Sequence, residues 1–227
     1  MPNSDIETIL FDLDGTLVDY ERPPTELLDH AFRRAGVEPF FEIGDYLDRF
    51  HEHTGPNVSI DEVRARCFEA IAESYGRDPE VSREIAEIYA AERDHSQVAP
   101  LPGAHDLLET LASEYRLGLV TNGPPGMQTT KLEAAGLTDY FEELVFAGHD
   151  TAAKPEAEPF EVALNALDST PERTLHVGNS ISSDVAGAHA AGVGSVWVPA
   201  ERGVEPEPKP NYAFDSLASL EARPWAN

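Results

Sequence analysis

Two patterns of apolar and polar positions divide the chain. Short, mostly apolar runs bounded by turn residues occur at 8–11 (TILF), 117–120 (LGLV), 144–147 (LVFA), 174–177 (TLHV) and 195–198 (SVWV). Runs of this length and content predict strands buried on both faces, as in a parallel sheet. From residue 101 onward they alternate with helical spacing. Leu107, Leu108 and Leu111 share one helical face, and Leu132 with Ala135 leads to Gly136. Phe160, Ala163, Leu164 and Leu167 mark another helix, and Val185 with Ala188 a further one closed by Gly192. A glycine just past the last apolar position is the usual left-handed helix end. Alternating β and α elements predict an α/β class chain: a doubly wound parallel sheet with right-handed crossovers.

The first and second strands are separated by about 100 residues without a strand signal, where a crossover needs only a dozen or so. Leu27, Leu28, Ala31, Phe32 and Ala35 run helically to Gly36. Ser59-Ile-Asp-Glu62 reads as a capping box before Val63, Cys67, Phe68 and Ile71. Asp78-Pro79 places an N-cap and an N1 proline before Val81, Ile85, Ile88 and Tyr89. The excess chain is therefore expected to be an inserted all-helical domain at 18–98, with 1–17 and 99–227 forming the core. The proline-rich stretch 203–211 reads as a loop, and there is no internal repeat.

Composition narrows the function. Of 227 residues, 42 are Asp or Glu and 16 are Lys or Arg, giving a formal net charge of −26. That balance argues against nucleic acid or an anionic membrane as partner, since both require a basic footprint. At 41% hydrophobic residues the chain can fold around a core despite its charge. Acids spread along the whole length, with lysine only at 131, 154 and 209, fit a surface adapted to high salt. A single cysteine, Cys67, excludes an internal disulfide framework. Residues 1–5 lack a basic and an apolar region, so no signal peptide is expected, and no apolar run reaches the roughly 18 residues that span a bilayer. A cytoplasmic protein is expected.

The residues that carry chemistry fall at the ends of strands, where open α/β sheets place their ligands. The first strand ends in Asp12-Leu-Asp14-Gly-Thr16. Paired carboxylates there can hold a hard cation, or one can attack phosphorus while its neighbour moves a proton. An acidic turn is the plainer alternative; a calcium loop fits badly, because its fifth position would be Thr16. The second strand ends in Thr121-Asn122-Gly123, with helical spacing after it. It offers a hydroxyl and backbone amides to an anion, or is simply an Asn-Gly turn. Lys154 follows the third strand and can bind phosphate or pair with a carboxylate, or stand solvated in its loop. The fourth strand leads through Gly178-Asn179-Ser180 to Asp184, a first-turn acid or a metal ligand.

Taken in order, these four sites resemble the signature motifs of the haloacid dehalogenase superfamily. Asp12-Leu-Asp14-Gly15-Thr16-Leu17 resembles motif I, Thr121-Asn122-Gly123 motif II, Lys154-Pro155 motif III, and Gly178 through Asp184 motif IV. The resemblance covers residues 6 to about 200, and the helical insertion resembles the C1 cap of subfamily I. The stretch from Thr121 through Gln128 to Lys131-Leu132 is similar to the branch that includes nucleotide and sugar phosphatases. The resemblance implies a Mg²⁺-dependent phosphatase acting on a small phosphorylated metabolite. Asp12 would be the nucleophile that becomes an aspartyl phosphate, and Asp14 the acid and base. Thr121 and the amides of Asn122 and Gly123 would bind the phosphoryl oxygens, and Lys154 would offset negative charge. The ion would be held by the Asp12 carboxylate, the Asp14 carbonyl and Asp184, with Asn179 offering an amide oxygen.

Position 179 departs from the pattern, since these phosphatases usually carry an aspartate there. The asparagine also resembles the metal-free dehalogenases, in which Asp12 would attack carbon; those enzymes generally lack an acid equivalent to Asp14. A catalytically weak phosphometabolite-binding protein is the remaining alternative. Other residues are left outside the site. His51 and His53 are two apart and do not face one ligand on a helix. His176 reads as a satisfied core histidine and Cys67 as ordinary helix packing. His149 with Asp150, and Arg22, are open as site-lining residues.

Overall fold

The structure, a computed structural model, describes residues 6–53, 58–199 and 205–226. Residues 1–5 and the first two positions of the 203–211 loop lie outside that set, as does the side chain of His51. In chain order the strands are β1 (Thr8–Phe11), β2 (Val18–Tyr20), β3 (Val98–Pro100), β4 (Arg116–Asn122), β5 (Glu143–Ala147), β6 (Thr174–Gly178), β7 (Gly194–Trp197) and β8 (Tyr212–Ala213). The longer helices are α1 (Pro24–Ala35), α2 (Ile43–Arg49), α3 (Ile60–Ser74), α4 (Pro79–Glu92), α5 (Ala104–Ala112), α6 (Pro125–Ala134), α7 (Glu158–Ala166) and α8 (Ala186–Ala190).

Six strands form one parallel sheet in the order β5-β4-β1-β6-β7-β8. All four residues of β1 are buried, as its continuous apolar run requires. Thr8 pairs with Arg116 on one side and Thr174 on the other, and Phe11 with Leu119 and Val177. The chain leaves β1 toward β4 on one flank and returns to β6 on the other. The C-terminal ends of β1, β4 and β6 therefore meet at the point where the winding reverses, the place such sheets keep for ligands. On one side of the sheet Phe160 and Ala163 of α7, with Leu167, cluster against Leu10, Val120 and Val145. This is a doubly wound α/β core.

Strands β2, β3 and β8 have no signal in the sequence pattern. At two or three residues each they are too short to show a period. Strands β2 and β3 form a separate two-stranded sheet, so the stretch after β1 is not strand-free.

The chain divides into two compact units, 1–19 with 98–227 and 20–97. The second is all-helical beyond its ends. Its core is aromatic: Phe68 of α3 packs edge-to-face on Phe41 at 5.0 Å and Tyr46 at 5.2 Å, and Phe32 of α1 on Phe41 at 5.1 Å. Its helix ends follow local rules. Ser59 Oγ accepts from the Glu62 amide at 3.2 Å, and Asp78 Oδ1 from the Glu80 amide at 3.0 Å. A reciprocal capping box at Glu42 and Asp45 opens α2. Cys67 is fully buried, and burial pushes its thiol up to about 11, consistent with packing rather than reactivity. Arg22 is engaged by Glu26 at 3.0 Å and Glu92 at 3.4 Å. No helix among the described residues is long and apolar enough to cross a membrane.

Candidate active site

β1 ends with its last residue, Phe11, buried, which delivers Asp12 to the C-terminal end of the sheet's central strands. The Asp12 amide continues the ladder to Val177 O at 2.9 Å, so its carboxylate is set by the sheet itself. Lys154 enters from beyond β5, on the cis Lys154–Pro155 peptide, and is 2% exposed. Its ammonium donates three bonds, each 2.7 Å, to Asp12 Oδ1, Asp184 Oδ1 and Val120 O. Three donors meet three acceptors, which is what a buried ammonium requires. Burial alone would lower the Lys154 pKa, but Asp12 and Asp184 outweigh it and hold it above the ordinary value.

The two carboxylates that share this lysine are set apart by their surroundings. Burial raises Asp12 to about 7, Lys154 opposes the rise, and Asp184 adds to it. Asp184 lies below the usual carboxylate range: burial pushes it up, but Lys154 and a hydrogen bond from His176 prevail. Asp184 sits in a π-helical turn, Ile181–Val185, before α8. Its Oδ2 accepts the Ser180 amide at 2.9 Å, and its Oδ1 faces His176 Nε2 at 3.1 Å. His176 is buried as expected but is not fully satisfied, because its Nδ1 has no partner among the described residues. Burial holds this ring below its ordinary pKa. It belongs to the site, behind Asp184, and the sequence reading left it out.

Thr16 Oγ1 lies 3.1 Å from Asp12 Oδ2 and 3.4 Å from Asn179 Oδ1, so an anionic and a neutral hard oxygen share one neighbourhood. The Asn179 backbone is tied down by Trp197 Nε1, which donates to its carbonyl at 2.8 Å. Gly15 separates Asp14 from Thr16 with φ +74°, and a Cβ there would meet Asn179 Nδ2 at 2.4 Å. The loop thus needs glycine both for its backbone and for the approach of Asn179. Among the described residues no three Asp, Glu, His or Cys side chains form a metal-binding group. The oxygens of Asp12, Asn179 and the Asp14 carbonyl are nevertheless the hard, partly neutral donor type that Mg²⁺ accepts alongside water.

Two expectations on the β4 side are corrected. The Gly123 amide donates to Ala147 O at 3.0 Å, extending the β4–β5 ladder, and is not offered to an anion. The start of α6 is also poor in donors. Pro125 has no N–H, and the amides of Met127 and Gln128 both bond Pro124 O. The Asn122 side chain holds the Lys154 loop instead: its Nδ2 donates to Lys154 O at 3.1 Å, and the Lys154 amide to its Oδ1 at 2.9 Å. Thr121 is buried, with its hydroxyl 2.6 Å from Gln128 Nε2. Asp14 is held by Lys131 and Gln128 of α6, which the sequence reading did not count as site residues. The scarcity of lysine was the available signal for Lys131. His149 and Asp150 are exposed and paired with each other at 2.8 Å.

A family model for haloacid dehalogenase-like hydrolases matches residues 6–192. The chain belongs to that family. The match takes in all four strand-end segments just described. The chain is 30% identical to a phosphoserine phosphatase of Thermus thermophilus, over 89% of this chain and 91% of that one. It is 27% identical to a glyceraldehyde 3-phosphate phosphatase of Pyrococcus furiosus, over 95% and 91%. A solved magnesium-bound structure of the putative hydrolase YfnB of Bacillus subtilis superposes with a TM-score of 0.73 at 24% identity, covering 96% of this chain and 98% of that one. The last likeness bears on the fold. As a haloacid dehalogenase-like hydrolase, the chain is an enzyme.

Proposed function

We propose that this hydrolase is a Mg²⁺-dependent phosphatase that cleaves a small phosphomonoester through a phosphorylated Asp12. The observation that carries the reading is the buried Asp12 carboxylate fixed by Lys154, with Asp14 two residues on. The relatives named above act on an amino-acid phosphate and a triose phosphate by name, which favours a compact phosphorylated metabolite.

In the first half-reaction an Asp12 oxygen forms a bond to phosphorus while the bond to the leaving oxygen breaks. The leaving oxygen takes its electron pair and receives a proton from Asp14. Lys154 holds the nucleophile in line, and its charge offsets that of the phosphoryl group. The Thr121 hydroxyl and Asn122 amide bind phosphoryl oxygens. In the second half a water oxygen bonds to phosphorus, its proton passes to Asp14, and the Asp12–phosphorus bond breaks to release phosphate. Mg²⁺ held by the Asp12 carboxylate, the Asp14 carbonyl and Asn179, with Asp184 in support, would neutralise phosphate charge that otherwise repels Asp12. The inserted helical unit takes the role of the cap that selects the leaving group.

Purified protein in molar salt should release phosphate from an aryl phosphate when Mg²⁺ is present and stop when EDTA is added. Asp12→Asn should abolish turnover; an active Asp12→Asn protein overturns the mechanism. A panel of phosphoserine, sugar phosphates, nucleoside monophosphates and phosphoglycolate then identifies the substrate class. Asn179 favours one competing reading, a 2-haloacid dehalogenase in which Asp12 attacks carbon. EDTA-insensitive halide release from 2-chloropropionate, without phosphatase activity, would establish that reading instead.

A further inference from the structure

Helix α6 leaves directly from β4 and presents Gln128 and Lys131, three residues apart, on one face. Gln128 is fully buried and Lys131 is 2% exposed. Neither belongs to the four strand-end motifs, yet both reach groups that do. Lys131 Nζ lies 2.7 Å from Asp14 Oδ1 and 2.8 Å from Asp14 Oδ2. Gln128 Nε2 lies 2.9 Å from Asp14 Oδ2, 3.0 Å from Asn122 O and 2.6 Å from Thr121 Oγ1. A carboxylate and a backbone carbonyl accept without donating, so the amide nitrogen of Gln128 must face them. The consequence appears on the other side of the same amide, where Gln128 Oε1 is buried without a partner among the described residues. A polar group kept at that cost is one whose orientation is fixed by something other than its own satisfaction.

Two consequences follow at the reacting groups. The two protons of the Gln128 amide are shared among three acceptors, the Thr121 hydroxyl among them, and because that nitrogen accepts no bond the Thr121 proton is directed to a different acceptor. A carboxylate has about four lone-pair directions. Lys131 and Gln128 occupy three of those on Asp14, two on the Oδ2 side and one on Oδ1, and leave one on Oδ1.

We propose that Gln128 and Lys131 are positioning residues which hold Asp14 so that its Oδ1 carries the proton, and which aim the Thr121 hydroxyl at the phosphoryl group. The inference rests on the phosphatase reading above and deepens it. Proton delivery then occurs from one oxygen of Asp14: the leaving oxygen takes the Oδ1 proton as its bond to phosphorus breaks. The attacking water returns a proton to that same oxygen.

The test separates proton delivery from general damage by the leaving group. A nitrophenolate departs with little help from an acid, whereas an alkoxide needs a proton. The quantity to compare is kcat/KM, which covers the steps through leaving-group departure, for p-nitrophenyl phosphate and for glycerol 2-phosphate. Lys131→Met should lower the alkyl value by about tenfold to a hundredfold, a part of the roughly 10²–10⁴ that positioned proton transfer supplies, since the acid itself remains. The aryl value should fall several-fold less. Asp14→Asn should show the same alkyl-selective loss, and adding Lys131→Met to it should cost nothing further. Equal losses on both substrates, or additive losses in the double variant, overturn the inference. If Lys131→Met does not fold by circular dichroism, Lys131→Gln is read by the same ratio: selective loss supports the inference, and equal loss or none overturns it. Failure of the phosphatase reading looks different, because the unmodified protein would then release phosphate from neither substrate.

Discussion

The two units of this hydrolase bury opposite things. At the end of β1 the α/β unit encloses an ammonium and two carboxylates, with Lys154, Asp12 and Asp184 each less than a tenth exposed. The helical unit encloses rings, with Phe32, Phe41, Tyr46, Phe68 and Tyr89 in one cluster, and keeps most of its ion pairs, such as Arg34 with Glu92, near solvent. An aromatic core stabilises through area removed from water and edge-to-face contact, and it tolerates small shifts. A buried charge triad stabilises only while every partner is present, because each ion has lost its water. One interior is built for holding shape, the other for holding charge in place, and substitutions should separate the two.

The largest effect is expected where the triad is broken. Lys154→Met leaves Asp12 and Asp184 buried without their shared counter-ion, which costs on the order of 3–5 kcal/mol. Phosphatase turnover should vanish with it. Both tryptophans, Trp197 and Trp225, lie in the α/β unit, so the midpoint of chemical unfolding followed by tryptophan fluorescence reads that unit alone. The midpoint should fall sharply. A Lys154→Met protein with an unchanged fluorescence midpoint would show that the triad is not under the strain its burial implies.

The matching break in the helical unit is Phe68→Ala. Phe68 is fully buried and touches rings on α2, on α4 and in the chain before α2. Its removal should cost about 3–5 kcal/mol of local stability through lost transfer and cavity. The expected signature is a lowered midpoint in far-ultraviolet circular dichroism with little change in tryptophan fluorescence. If both signals move together, the units unfold as one and the comparison holds only for their chemistry.

The same contrast governs what could be read from the sequence. The five long strands were legible because buried parallel strands are continuous apolar runs, and the 8–11 run coincides with β1. Strands β2, β3 and β8 were not, since two or three residues carry no period. Asp12, Asp14, Lys154 and Asp184 could be singled out by their place at strand ends. Their mutual contacts could not, because Lys154 and Asp12 are 142 residues apart and meet only through sheet order. The same missing information misassigned Gly123: its amide reads as free until β5 is known to lie alongside β4 with Ala147 in reach. Gln128 and Lys131 entered only as part of a stretch that carries the resemblance, since nothing local says which face of α6 meets the β1 loop. His176 was placed correctly in the core, but its partner Asp184 is supplied by a turn eight residues later.

The smallest effects give the sharpest form of the comparison, because they start from the same backbone. Gly15 in the α/β unit has φ +74° and Gly36 at the end of α1 has φ +68°, both in the left-handed region. Alanine at either position pays roughly 1 kcal/mol or somewhat more for that conformation. Beyond this the sites differ. A Cβ at Gly36 meets nothing within 4 Å, while one at Gly15 meets the Asn179 amide at 2.4 Å. That amide is the far end of a side chain and can swing aside, so Gly15→Ala should remain folded. Asn179 Oδ1 would then move away from Thr16 and Asp12, and the Mg²⁺ concentration for half-maximal phosphatase activity should rise several-fold. Gly36→Ala should lose a similar increment of stability with its Mg²⁺ dependence unchanged. Equal Mg²⁺ dependence in the two variants would remove Asn179 from the metal-holding set and leave Asp12, the Asp14 carbonyl and Asp184 to carry it.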